Sequence, residues 1–123
     1  MSILEICIMS HQNCIFCRII SGAIPSTIIA ESERVITIKN INPAAPVHYL
    51  IIPREHSNDM RDVTDVQTRD EMWEMVRTLA LKLTDPQAFN IISNNGSAAG
   101  QSVFHTHWHF VSGKNLYSAG LSL

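Results

Sequence analysis

Residues 105–111 read His-Thr-His-Trp-His-Phe-Val, so imidazoles recur at every second position late in the chain. Neighbours two apart on a helix are turned by about 200° and scattered, whereas a strand sets i, i+2 and i+4 on one face. Thr, Trp, Phe and Val also favour strands. The spacing predicts one strand over 105–111, with Trp108 and Phe110 towards a core and His105, His107 and His109 in a row on the other face. At a rise of about 3.3 Å per residue, successive imidazoles would stand about 6.6 Å apart at their Cα atoms. Such a row has three readings. It is a surface strand with no role, or a metal site, since two strand histidines two apart can reach one Zn²⁺. Alternatively, one imidazole is a nucleophile and its neighbours orient it and supply an acid. A pKa near 6.5 suits that role, leaving much of the ring neutral and nucleophilic at physiological pH.

Two further stretches carry chemistry. Residues 94–101, Asn-Asn-Gly-Ser-Ala-Ala-Gly-Gln, lead directly towards the histidines. Gly96 and Gly100 permit backbone geometry and close approach that a side chain would block. Ser97 and Ser102 supply hydroxyls, and the loop N–H groups could form an anion-binding nest. Beside imidazoles, such donors would hold the charge that develops in phosphoryl transfer. Near the start, Cys14 and Cys17 form a C-x-x-C in a chain with three cysteines. With no secretory leader evident, that pattern favours a reduced, cytoplasmic compartment and metal binding over a disulfide framework.

The elements that must position these groups fit one domain of 123 residues. A net charge of −2 provides no field that would draw the chain to nucleic acid or an anionic membrane, so neither partner is expected. Any phosphate must be held by local geometry. No apolar run approaches the roughly 18 residues a membrane span needs. Residues 1–13 contain Ile3, Leu4, Ile6, Ile8 and Met9, but Glu5 interrupts them and no basic region precedes them. They read as an irregular arm rather than a signal peptide, with the domain over 14–123. Asn13 is expected to cap a short helix over 14–21, ended by Gly22. The β-branched runs 27–31 and 34–39 read as a hairpin. Residues 42–46, with two prolines, read as a loop, and 48–52 as a third strand closed by Pro53. Thr68 and Glu71 form a capping box, opening a long helix that runs to Thr84 and stops at Asp85-Pro86. Its apolar positions are Met72, Met75, Val76, Leu79, Ala80 and Leu83. Residues 89–93 are a fourth strand. The result is α+β: a mostly antiparallel five-stranded sheet with one long and one short helix.

The run G-Q-S-V-F-H-T-H-W-H-F-V resembles the signature of the histidine triad (HIT) superfamily of nucleotide hydrolases and transferases. The likeness extends to C-I-F-C-R-I-I-S-G-A-I-P from Cys14 and to N-P-A-A-P-V-H-Y-L-I-I-P from Asn42, in the same order and spacing. The chain is most similar to the Hint branch, the purine nucleoside phosphoramidases. The uridylyltransferase branch usually has Gln where His109 stands, and the fragile-histidine-triad branch generally lacks the C-x-x-C. The decapping and DNA-repair branches carry extra domains.

The resemblance implies a HIT-like domain that hydrolyses nucleoside phosphoramidates or acyl-nucleotides of the AMP–X type through a covalent nucleotidyl-histidine. His107 is the implied nucleophile; His109 would contact the phosphate, His105 support the site from its other side, and Ser102 bond the bridging or leaving atom. Asn40, Ile41, His48, Asn94, Gly100, Gln101, Ser102, His107 and His109 are the implied nucleotide-binding residues. No metal is required for catalysis. Cys14, Cys17, His56 and His105 are the implied ligands of a structural Zn²⁺, a Cys₂His₂ set. A purine nucleotide ligand and a homodimer are implied as well. His11 and Cys7 have no assigned role.

Two positions depart from the family. Asn40 stands where Asp is usual, losing charge assistance towards ribose hydroxyls, and Thr106 is less apolar than the usual residue between the first two histidines, although its methyl can pack. Three alternatives remain. The chain could be a non-catalytic purine-nucleotide-binding or scaffolding protein, or a dinucleoside polyphosphate hydrolase. It could also be a metallohydrolase on the triad, which would lack a nearby acidic ligand or base. His107 favours catalysis, because a binder needs no free imidazole in line with phosphorus.

Overall fold

The computed structural model describes residues 13–123; all of the expected arm except Asn13 lies outside the described residues, with Cys7 and His11. Strands β1 (Ile28–Glu31) and β2 (Val35–Lys39) form the expected hairpin. Strands β3 (Val47–Pro53), β4 (Phe89–Ser93) and β5 (Trp108–Ser112) complete one antiparallel sheet, in the order β1-β2-β3-β5-β4. The histidine-bearing strand is therefore interior, hydrogen-bonded on both sides, although it comes last in the chain.

Both faces of the sheet are covered, and the side-chain alternation of the strands divides the core in two. On one face Val35, Ile51, Trp108 and Phe110 pack against Met72, Met75, Val76 and Leu79 of helix α2 (Val66–Leu81). Phe110 is fully buried, stacked between the rings of Phe89 at 5.0 Å and Tyr49 at 6.3 Å between centroids. On the other face Ile36, Ile38, Leu50 and Ile52 meet Phe16 of helix α1 (Ile15–Ile20). A six-residue helix is marginal on its own hydrogen bonds. Burying Phe16, at about 1.5–3 kcal/mol for a fully buried side chain, is what docks it.

Helices α1 and α2 and strand β5 differ in their bounds from the sequence expectation. Helix α1 is capped by Cys14 rather than Asn13, with the Cys14 Sγ accepting from the Cys17 N–H at 3.4 Å. Helix α2 begins at Val66 and ends at Leu81. Asp65 is its cap and accepts from both the N–H and the hydroxyl of Thr68, so no Thr68–Glu71 capping box forms. Glu71 instead accepts from the Ser32 hydroxyl, the Arg34 N–H and the Arg34 guanidinium at 2.7–2.9 Å, fastening the β1–β2 turn to the helix. Strand β5 starts at Trp108, not at His105. Its ladder ends because β4 pairs no further than Ser93, opposite Trp108, and β3 closes on Pro53, which has no N–H to donate.

Candidate active site and cysteine–histidine cluster

The shortened strand divides the three imidazoles. His109 lies in β5, half-buried, beside Leu50 and Ile92 in the ladder. His107 and His105 lie in the extended segment before it, which is held by the loop after β3: the Thr106 N–H donates to the Ser57 carbonyl at 2.8 Å. The expected row of three on one strand face is thus a pair plus one. The rings of His107 and His109 meet at 5.2 Å between centroids, whereas His105 faces His56 at 4.9 Å. Phe16 packs T-shaped against both groups, 5.8 Å from the His105 ring and 5.1 Å from that of His107.

Backbone partners fix the tautomers, because a carbonyl only accepts and an amide N–H only donates. The Nδ1 of His107 is 2.8 Å from the His105 carbonyl, so Nδ1 carries the proton and Nε2 keeps its lone pair. The Nδ1 of His48 receives the Ala44 N–H at 2.9 Å, so its proton sits on Nε2. That Nε2–H lies 2.9 Å from the Nδ1 of His109, which must accept it and carry its own proton on Nε2. His107 and His109 are therefore complementary neighbours, one with an open lone pair at Nε2 and the other with an Nε2–H.

Burial keeps all of these rings neutral. It lowers His48 below its ordinary value, and lowers His107 against the opposing bond to the His105 carbonyl. His109 is pushed down to about 4, by burial first and then by the neighbouring His107 and His48. Asn40 borders this network. Its Oδ1 accepts from the Asn42 N–H at 2.9 Å, and its Nδ2 is 3.2 Å from the His48 Nε2. Ile41, between them, is 86% exposed.

The loop before the triad has the glycine geometry its composition suggests, with Gly96 at φ +97 and Gly100 at φ +95 flanking a 3-10 turn over Ser97–Ala99. The N–H groups of Ala99, Gly100 and Gln101 are engaged within the loop itself, on the carbonyls of Gly96 and Ser97, so they do not form the expected open nest. Gln101 is a buried clasp: its Oε1 accepts from the Gly96 N–H, and its Nε2 donates to the carbonyls of Asn58 and Val103. Asn94 is half-buried, its side chain 3.9 Å from where a Gly100 Cβ would stand. Ser102 is exposed, on a shallow cleft shared with Cys14, Ile15 and Phe104.

Behind the pair lies a second constellation. One ligand atom from each of Cys14, Cys17, His56 and His105 lies within 4.8 Å of the others. The Nδ1 of His105 is 3.2 Å from the Cys14 Sγ and 3.5 Å from the Cys17 Sγ, and the Nδ1 of His56 is 3.5 Å from the Cys17 Sγ. A tetrahedral Zn²⁺ at about 2.3 Å from sulfur and about 2.0 Å from nitrogen needs S–N edges of about 3.5 Å, so the donor set fits. The outer partner fits too: the His105 Nε2–H donates to the Pro53 carbonyl at 2.7 Å, leaving Nδ1 unprotonated and aimed at the thiols.

Several of these groups gave no warning in the sequence. Phe16 and Ser57 act through contacts remote in the chain, whereas the Ala44 N–H and the His105 carbonyl are main-chain groups acting on imidazoles four and two residues away. Only Thr106, as a departure from the family pattern, carried a signal of its own.

Comparison with known proteins agrees with this geometry. The HIT domain, as a sequence family, matches residues 21–116. The chain is similar to "Protein hit" of Bacillus subtilis, at 38% identity over 103 residues, covering 81% of this chain and 70% of that protein. It is similar to adenosine 5'-monophosphoramidase HNT1 of Candida albicans, at 35% identity over 112 residues, covering 86% and 74% of the two chains. Among solved structures, a HIT family hydrolase from Clostridium thermocellum superposes with a TM-score of 0.79 at 44% identity, over 85% of this chain and 94% of that one. With its split triad, its antiparallel sheet and these relatives, the chain belongs to the HIT family and to its Hint-like branch.

Proposed function

We propose that the chain is a nucleotide hydrolase of the adenosine phosphoramidase type, cleaving nucleoside phosphoramidates or acyl-nucleotides through a nucleotidyl-His107 intermediate. The observation that carries this reading is the opposed tautomer pair, a lone pair at His107 Nε2 beside an N–H at His109 Nε2. The lone pair attacks the α-phosphorus, and the bond from phosphorus to the leaving nitrogen or oxygen breaks. Ser102 hydrogen-bonds that leaving atom, which departs as an amine or acid with a proton from water. The His109 N–H holds the negative charge on a phosphate oxygen. The positive charge on the phosphorylated His107 ring is offset through Nδ1–H at the His105 carbonyl, a bond already in place. Water then attacks phosphorus, releasing the nucleotide and restoring His107.

The nucleoside lies against Asn40, Ile41 and His48, where a large apolar side chain open to solvent can pack on a purine. Asn94 and Gly100 border the phosphate, and Gln101 holds the loop that carries them. Zn²⁺ on Cys14, Cys17, His56 and His105 is structural, tying helix α1 to the segment before β5, and takes no part in the chemistry. The protein acts in the cytoplasm as a homodimer, which would cover the free edge of β4 and the exposed Trp73 of α2.

Turnover of a fluorogenic adenosine phosphoramidate, with intact-mass detection of a nucleotidyl adduct on acid-quenched protein, tests the mechanism. Turnover unaffected by chelator is expected. Tight nucleotide binding with no turnover would instead favour the binding-protein alternative, and chelator-abolished turnover the metallohydrolase.

A further inference from the structure

The segment carrying the nucleophile is not in the sheet, so its rigidity has another source. Thr106 is 2% exposed, and its N–H and hydroxyl are both turned to Ser57. The Thr106 N–H donates to the Ser57 carbonyl at 2.8 Å, the Thr106 hydroxyl donates to the same carbonyl at 3.2 Å, and the Ser57 hydroxyl lies 2.7 Å from Thr106 Oγ1. With the Thr106 proton on the carbonyl, the Ser57 hydroxyl donates to Thr106, and a closed ring of bonds joins the loop after β3 to the triad segment.

One peptide unit transmits this ring to the site. The His105–Thr106 peptide is planar, so its carbonyl and its N–H point in fixed and opposite directions. The N–H end is held by Ser57; the carbonyl end receives the His107 Nδ1–H at 2.8 Å. Rotating that plane away from Ser57 turns the His105 carbonyl away from His107 and releases the proton that keeps Nε2 open.

We infer that Ser57 and Thr106 are positioning residues for His107, clamping the peptide plane whose carbonyl sets the orientation and tautomer of the nucleophile. A threonine between the first two histidines is then a functional choice rather than a tolerated departure: Val or Ile would fill the same space without closing the ring. The inference rests on His107 being the nucleophile only for its kinetic readout; the tautomer readout stands apart from activity.

The test uses T106V, which keeps the branched shape and removes the hydroxyl, with T106S as rescue and S57A as the partner change, all in the full chain as purified. On the adenosine phosphoramidate, T106V and S57A should each lower kcat about tenfold with KM little changed, as a small misplacement of a reacting group does. T106S should restore most of the rate. The double variant should be no worse than either single one, since both break the same ring. In ¹⁵N spectra of the histidine side chains, His107 should be the Nδ1–H tautomer in the native protein and a mixture in T106V. A kcat for T106V within twofold of the native value, a T106S as impaired as T106V, or an unchanged His107 tautomer in T106V would each overturn the inference. If T106V fails to fold, S57A decides through the same kinetic and spectral measurements. Absence of turnover in the native protein would count against the phosphoramidase reading alone and leave the tautomer measurement to decide this one.

Discussion

Asn40→Asp should stabilise the protein, and the size of the gain follows from a count of donors. Two N–H groups face this side chain: the Asn42 N–H, at 2.9 Å from Oδ1, and the His48 Nε2–H, whose nitrogen is 3.2 Å from Nδ2. The His48 proton is on Nε2 because the Ala44 N–H already occupies Nδ1. An asparagine has one acceptor oxygen, so in either flip one donor faces an NH₂ group. Aspartate has two acceptor oxygens and satisfies both. A charge-assisted bond contributes about 1.5–3 kcal/mol, reduced here because the site is only half-buried and the His48 proton is shared with His109. A net gain of about 1 kcal/mol is expected, or about 4 °C in Tm for a domain of this size. Urea unfolding at pH 7 measures it, and the gain should disappear near pH 3 as the carboxylate protonates. The same substitution should tighten adenosine monophosphate by about 0.5–1.5 kcal/mol and the 2'-deoxy analogue by less, since a carboxylate accepts ribose hydroxyls with charge assistance. A variant no more stable than the native protein at pH 7 refutes the tautomer assignment. Equal gains on both nucleotides, or none, remove Asn40 from the ribose site.

Replacing His107 with Ala should lower turnover by about 1,000-fold or more, some 4 kcal/mol of barrier, while nucleotide binding measured by calorimetry largely survives; turnover within tenfold of the native rate would exclude covalent catalysis. Protein purified without chelator should carry close to one zinc per chain by elemental analysis, and chelation should lower Tm more than it lowers initial activity. Glu71→Ala should cost about 2–3 kcal/mol in urea unfolding, because it leaves the Ser32 hydroxyl, the Arg34 N–H and the Arg34 guanidinium without their shared acceptor. The pH dependence of stability has a fixed sign. His109 is held at about 4 when folded and near 6.5 when unfolded, so the unfolded chain binds the extra proton between those values. Its contribution is full above about pH 6.5 and is lost as pH falls towards about 4, by about 1–3 kcal/mol. Unfolding of His109→Gln across this range should show a shallower slope, and an identical slope would contradict the assignment.

The sequence by itself determined the local alternation and its consequences. Trp108 and Phe110 face the α2 core and His109 the opposite face, because a strand has a period of two whatever it pairs with. The hairpin, the order of five strands along the chain, the glycine turns at Gly22, Gly96 and Gly100, and the family were legible for the same reason: each rests on residues near one another in the chain. What the tertiary structure decided depends on groups far apart in sequence or on main-chain groups that carry no residue type. The placement of β5 between β3 and β4, and the end of its ladder at Trp108 opposite Ile51 and Ser93, set where His105 and His107 leave the strand. The Thr68–Glu71 motif was overridden because Glu71 found three donors in the β1–β2 turn and Asp65 reached Thr68 first. The protonation of the triad was set by the Ala44 N–H and the His105 carbonyl, main-chain groups that every residue carries and that no side-chain pattern reveals. Residue types can say that an imidazole is present; which of its nitrogens is open is decided by the backbone folded against the other one.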